Sequence, residues 1–170
     1  MPLIKNGGVS EDPWRAVDME SELPEGDVIA PCARVLADAP ALLQREGRLG
    51  VRVAPGEDVA ALAPHLDAID LVALEFPRYT DGRAYSSARL LRERHGFKGE
   101  VRAVGDVLRD QLFFMVRCGF DAFEIDREDA AEAFAAAMGE LRHVYQPAED
   151  GRRPVWALRS ATTPITAKVE

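Results

Sequence analysis

Residues 76–123, FPRYTDGRAYSSARLLRERHGFKGEVRAVGDVLRDQLFFMVRCGFDAF, decide the fold of this 170-residue chain. The run reads as the end of a strand, a loop, an amphipathic helix, a second strand, a second helix and the start of a third strand. In the first helix Tyr85, Ala88 and Leu91, continued by His95, recur at helical spacing, with Thr80 or Asp81 as N-cap. Gly96 and Gly99 close it, Val101 to Val104 form the strand, and Asp106 after Gly105 suits the N-cap of the next helix. Gly119 ends that helix, and another strand begins at Ala122.

The same alternation continues outward. Val28, Ile29 and Ala30 form a short strand stopped by Pro31, and Asp38 with Pro40 opens a helix that Gly47 ends. Leu49 to Val53 reads as a strand, Pro55 and Gly56 as a turn, and 58–66 as a short helix. Residues 69–74, IDLVAL, are apolar at nearly every position, as in a buried parallel strand. Downstream, DAAEAFAAAMGELRHV is an Ala-rich helix with Phe134 and Leu141 facing inward. Strands and helices alternating across short loops predict a single α/β domain over 28–146. The expected form is a parallel sheet of about five strands in βα units, a flavodoxin-like open sheet, with a half-barrel of βα units as the alternative. Residues 1–27 read as an N-terminal hairpin or flap that turns at Asn6-Gly7-Gly8 and is anchored by Trp14. Residues 147–170 read as a tail in which VWALR adds an edge strand and SATTPITAKVE frays.

Charge is unevenly spread. The chain carries 21 Lys and Arg against 29 Asp and Glu, a net charge of −8, which disfavours nucleic acid and anionic membranes as partners. Residues 77–119 nevertheless hold nine Lys and Arg against five acids, so the centre is about +4 and the rest about −12. The start of the chain has no apolar stretch behind a basic end, and no apolar run approaches the roughly 20 residues of a membrane span. A cytoplasmic location is expected. Cys32 and Cys118 lie far apart in apolar surroundings, in no metal-ligand spacing, and read as small buried hydrophobes; no metal site is expected.

Two surfaces carry candidate chemistry. In an open α/β sheet ligands bind beyond the carboxyl ends of the strands at a topological switch point. The loop holding Arg78, Thr80, Asp81, Gly82 and Arg83 would meet the loop holding Gly105 and Asp106 at that edge. Both open helices, whose free N–H groups favour an anion, and the arginines offer guanidinium forks. The alternative is plain capping by Thr80, Asp81 and Asp106 with solvated arginines. Asp81 and Asp106 would also form a carboxylate pair for acid–base work if the loops converge. The second surface is the helix over 106–118, where Arg109, Phe113 and Arg117 form a stripe with Asp110 beside it. An aromatic between arginines is a common composition for a docking hot spot, the alternative being a well-buried helix whose arginines pair with acids. Dinucleotide and phosphate-loop glycine patterns are missing, the three histidines lack metal spacing, and no nucleophile elbow surrounds Ser86 and Ser87.

The central run, together with RLGVRVAPGEDVAALAP and VYQP, resembles a bacterial domain-of-unknown-function family described as a probable oxidoreductase involved in sulfite reduction. The resemblance spans most of residues 28–147. It implies an association with assimilatory sulfate reduction and with sulfite reductase, beside which members are typically encoded. It supplies no catalytic residues. The chain shows no flavin, nicotinamide or iron–sulfur fingerprint, so no cofactor is evident. The expectation is therefore an accessory protein that docks the sulfite reductase hemoprotein through Arg109, Phe113 and Arg117. The alternative is an enzyme or sensor that binds a small sulfur oxyanion or phosphorylated metabolite at the two helix starts.

Overall fold

The computed structural model describes residues 1–161. The core of the fold is five parallel strands, and their order along the sheet follows the chain. They are β4 (Val28–Pro31), β5 (Leu49–Val53), β6 (Leu71–Phe76), β7 (Glu100–Gly105) and β8 (Ala122–Glu124). The N-terminal segment completes the sheet from both ends. β1 (Leu3–Lys5) runs antiparallel to β8 and forms a hairpin with β2 (Gly8–Ser10) at the edge, and β3 (Arg15–Ala16) pairs parallel to β4 at the far edge. The hairpin turns at Asn6 and Gly7, both with positive φ, which is why an Asn-Gly pair sits there.

The sheet thus has eight strands in the order β2-β1-β8-β7-β6-β5-β4-β3, and it forms a half-barrel rather than a five-strand flavodoxin-like sheet. The reason lies in the connections. A flavodoxin-like order reverses direction once and so places helices on both faces. Here each crossover steps the same way, and right-handed connections then leave every helix on one face.

The main core lies on that convex face. Val28, Val51, Leu74, Val101, Ala103 and Phe123 point into it from the strands and meet the helices α1 (Cys32–Ala37), α2 (Ala39–Leu43), α3 (Arg83–Arg89), α4 (Leu112–Cys118) and α5 (Ala130–Glu140). A 3₁₀ segment, Val59–Ala68, replaces the helix expected near 58–66; Asp58 caps it by accepting the Ala60 N–H at 2.9 Å, and Pro64 lies inside it. The opposite, concave face holds a smaller apolar cluster of Ile29, Leu71, Ala73 and Val104, on which Trp14 packs.

Other local expectations changed. A helix absent from the sequence reading, α1, follows β4 directly, and Asp38 sits between α1 and α2 without a side-chain cap. The helix expected over 106–118 is α4, preceded by a 3₁₀ turn over Arg109–Gln111; Leu108 is extended, so Asp106 caps nothing. Gly119 closes α4 in the left-handed conformation, as anticipated. VWALR is no edge strand. It begins a helix, α6 (Val155–Ala161), because the preceding Pro154 forms an isolated bridge to Val144 and its carbonyl accepts the Ala157 and Leu158 N–H groups. The frayed end expected from Ser160 lies, beyond residue 161, outside the described residues.

Between β2 and β3 the chain must pass from one edge of the sheet to the other, and it does so across the concave face. Asp12 there reaches Arg102 in β7, and Trp14 sits over Gly50 in β5. A side chain at Gly50 has no room: a Cβ would stand 2.9 Å from Ile29, 3.2 Å from Leu71 and 3.3 Å from Trp14. Gly50→Val should therefore lower stability by about 1–3 kcal/mol in urea unfolding, through overpacking. A change below about 0.5 kcal/mol, the usual size for a surface site, would contradict the close packing of Ile29, Leu71 and Trp14 around this position.

Candidate functional site

The concave face carries the chemistry that the sequence reading did not single out. Strand alternation places Arg52 of β5, Glu75 of β6, Glu100 and Arg102 of β7 and Glu124 of β8 on this face, opposite the core-facing residues. Arg102 is 1% exposed and is held by three carboxylates. Its Nε donates to Glu100 at 2.7 Å, Nη1 to Asp12 at 2.8 Å and to Glu124 at 3.3 Å, and Nη2 to Asp12 at 3.2 Å. Lys5 of β1 approaches the buried Glu100 at 2.6 Å. Toward the carboxyl ends of the strands Arg52 Nη2 donates to Glu75 at 2.9 Å. There a small pocket of about 170 Å³ opens, lined by Ala16, Ile29, Arg52, Ala73, Val104, Gly105 and Glu124. Its position matches that of the active sites of full parallel barrels, at the carboxyl ends of the strands. A larger depression of about 530 Å³ lies between residues 23–26 and 45–47, where Arg45 ties the Pro24 and Gly26 carbonyls together. That one is a loop junction with no converging side-chain chemistry.

The two loops expected to hold an anion do converge, but through each other's polar groups. The Asp106 carboxylate accepts the Tyr79 N–H at 2.9 Å, and Gln111 donates to the Tyr79 carbonyl at 2.7 Å. Asp81 accepts from the Arg83 backbone at 3.2 Å and pairs with its guanidinium at 2.6 and 3.0 Å. These bonds hold the Asp81 carboxyl down at about 2, so it is ionised at neutral pH and is a poor proton donor there. Gly82 occupies the N-cap position of α3 with no side-chain cap, Thr80 is exposed, and Gly105 has a φ of 95° with the Phe76 carbonyl 2.4 Å from where its Cβ would stand. The loop backbone and Arg83 are thus already engaged with carboxylates. Arg78 is exposed and makes no ion pair among the described residues.

The stripe on the second surface is occupied by the chain itself. Arg109 pairs with Glu140 at the end of α5. Arg117 donates to Asp150 at 3.0 Å and to the Gln146 carbonyl at 2.6 Å. Phe113 lies beneath two guanidinium groups, with Arg152 5.0 Å and Arg117 6.0 Å from its ring centre. Asp110 is exposed. The stripe therefore seats residues 140–152. The aromatic exposed on α4 is the next residue, Phe114, which is 55% exposed and packs at a tilt against Tyr85, with ring centres 5.0 Å apart.

Most of the central positive charge is consumed in the same way. Arg89 pairs with Glu93. Arg92 binds the Phe97, Gly99 and Gly119 carbonyls at 2.7–3.0 Å and Asp121 at 2.7 Å. Arg102, Arg109 and Arg117 reach acids from the N- and C-terminal segments, and this explains the charge split seen in the sequence.

The chain belongs to a family of bacterial proteins of unknown function (DUF934), whose model matches residues 50–156, well over half of the chain. No curated protein matches it. The matched region covers β5 to the start of α6 and leaves out β1 to β4.

Both cysteines are buried. Burial, together with Glu57 and Asp58, pushes the Cys32 thiol up to about 11, and burial likewise raises Cys118. Thiolate is the reactive form, so neither should react at neutral pH. Dithionitrobenzoate at pH 8 should label neither cysteine of the native protein within minutes and both after unfolding. Rapid native labelling of one would place a reactive thiol where burial forbids it.

Among the described residues no group of three His, Cys, Asp or Glu side chains is arranged to hold a metal ion, and no helix is long and apolar enough to cross a membrane.

Proposed function

We propose that this protein is an accessory protein of sulfite reduction that works by docking a partner, the sulfite reductase hemoprotein. The resemblance of the central run supports the pathway. The observation that supports docking is Phe114, an exposed aromatic on a packed helix. Behind it Tyr85 and Phe76 follow in series, tilted and edge-on, with ring centres 5.0 and 5.2 Å apart, so the exposed ring rests on a packed base. Around the start of α4, Tyr79 and Leu108 are also exposed. Rigid aromatics with apolar neighbours are typical anchors of protein interfaces. The docking surface is accordingly placed at Tyr79, Leu108 and Phe114, while Arg109, Phe113 and Arg117 hold the C-terminal segment.

A binding assay with purified hemoprotein tests this. Phe114→Ala should weaken association by roughly thirtyfold, as for a hot-spot aromatic. Arg109→Glu should act only as far as it loosens residues 140–152. Binding of Phe114→Ala equal to wild type, or no binding by wild type, would sink the proposal. The rival reading, a sulfur oxyanion held at the loop over 78–83, rests on Arg78, which makes no ion pair among the described residues. It would be favoured instead if sulfite or sulfate raised the melting temperature of wild type but not of Arg78→Ala.

A further inference from the structure

The pocket at the carboxyl ends of β4 to β8 is independent of the docking surface and has a definite charge pattern. Around Arg102 the cations are Arg102 and Lys5, and the carboxylates are Asp12, Glu100 and Glu124. Asp12 and Glu100 hold the guanidinium at 2.8 and 2.7 Å, while Glu124 stands at 3.3 Å. Glu124 is therefore the surplus carboxylate, and it lines the pocket. Across the pocket Arg52 uses one terminal nitrogen for Glu75. Its Nε and Nη1 make no hydrogen bond among the described residues, and its side chain is half exposed. In strand order Val104 and Ala73 lie between the two charges, and Ile29 and Ala16 lie beyond Arg52, so that together they form a short apolar floor. At about 170 Å³ the space lies well below the roughly 300–1,000 Å³ of drug-sized sites.

From this we infer that the pocket binds a small zwitterion, an α-amino acid with a short side chain, its ammonium on Glu124 and its carboxylate on the free edge of Arg52. A simple anion is disfavoured by Glu75 and Glu124, and a simple cation by Arg52. Only a ligand bearing both charges pairs each end without leaving a lining charge opposed. The apolar floor has room for a methyl or hydroxymethyl group.

The test is a titration of the full chain followed by amide NMR signals, with L-alanine and L-serine as probes and with ethylamine and propionate as their singly charged halves. The amino acids should shift the signals of Ala73, Val104 and Gly105 saturably. Each half should bind at least about tenfold more weakly, the effect of losing one hydrogen bond to a charged group. Arg52→Gln should weaken alanine about tenfold and leave ethylamine unchanged. Glu124→Gln should weaken alanine and ethylamine and leave propionate unchanged. If Glu124→Gln unfolds because it touches Arg102, the exposed Arg52 variant decides the matter alone. The inference is overturned if no pocket signal moves with either amino acid, or if ethylamine or propionate binds as tightly as alanine.

Discussion

A buried guanidinium is the constraint on which the rest of the concave face depends. Arg102 sits in the central part of a parallel sheet, 1% exposed, where an unpaired charge would be heavily penalised. The sequence meets that demand from three directions, with Glu100 on the same strand, Glu124 on the next and Asp12 from the segment that crosses the sheet. The last of these is the most consequential. Because Asp12 must reach Arg102, the N-terminal segment is drawn over the face that the helices leave bare. The chain can then place β1 and β2 at one edge and β3 at the other.

A half-barrel built by steps in one direction has a face with no helices, and that face must be covered, made polar or used. All three occur here. Trp14 covers the apolar cluster of Ile29, Leu71, Ala73 and Val104. Charged residues fill the middle. The carboxyl end stays open as a small pocket with Arg52 and Glu124 on its lining. The C-terminal segment follows similar logic on the other side of the molecule, where Asp150, Glu140 and Arg152 engage Arg117, Arg109 and Phe113.

Much of this was legible in the residues, and the part that was missed has a physical reason. The βα alternation, the Asn6-Gly7 hairpin and the closing Gly119 follow from local turn and helix chemistry, which does not depend on distant partners. The choice between an open sheet and a half-barrel depends on what covers the second face of the strands. The signal was present: EVRAVG carries Glu100 and Arg102, LGVRV carries Arg52 and LVALEF carries Glu75, all on one face, whereas strands buried on both faces are apolar throughout. The apolar run at 69–74, IDLVAL, masks it. The anion loops and the arginine stripe stand out in the sequence because their arginines look free in one dimension. Asp81 lies two residues from Arg83, but the partners of Arg109 and Arg117 lie 31 and 33 residues away, beyond any local pattern. Asp12 lies 90 residues from Arg102, so the most important ion pair of the concave face had no sequence signature.

The central claim is that Asp12 and Arg102 clasp the N-terminal segment to the sheet. A double-mutant cycle with Asp12→Asn and Arg102→Gln, read by urea unfolding, measures that link directly. The structure predicts a coupling of about 1 kcal/mol or more, within the range for contacting charged residues. Additive effects, with no coupling between the two positions, would contradict it and leave the crossing segment held by Trp14 alone.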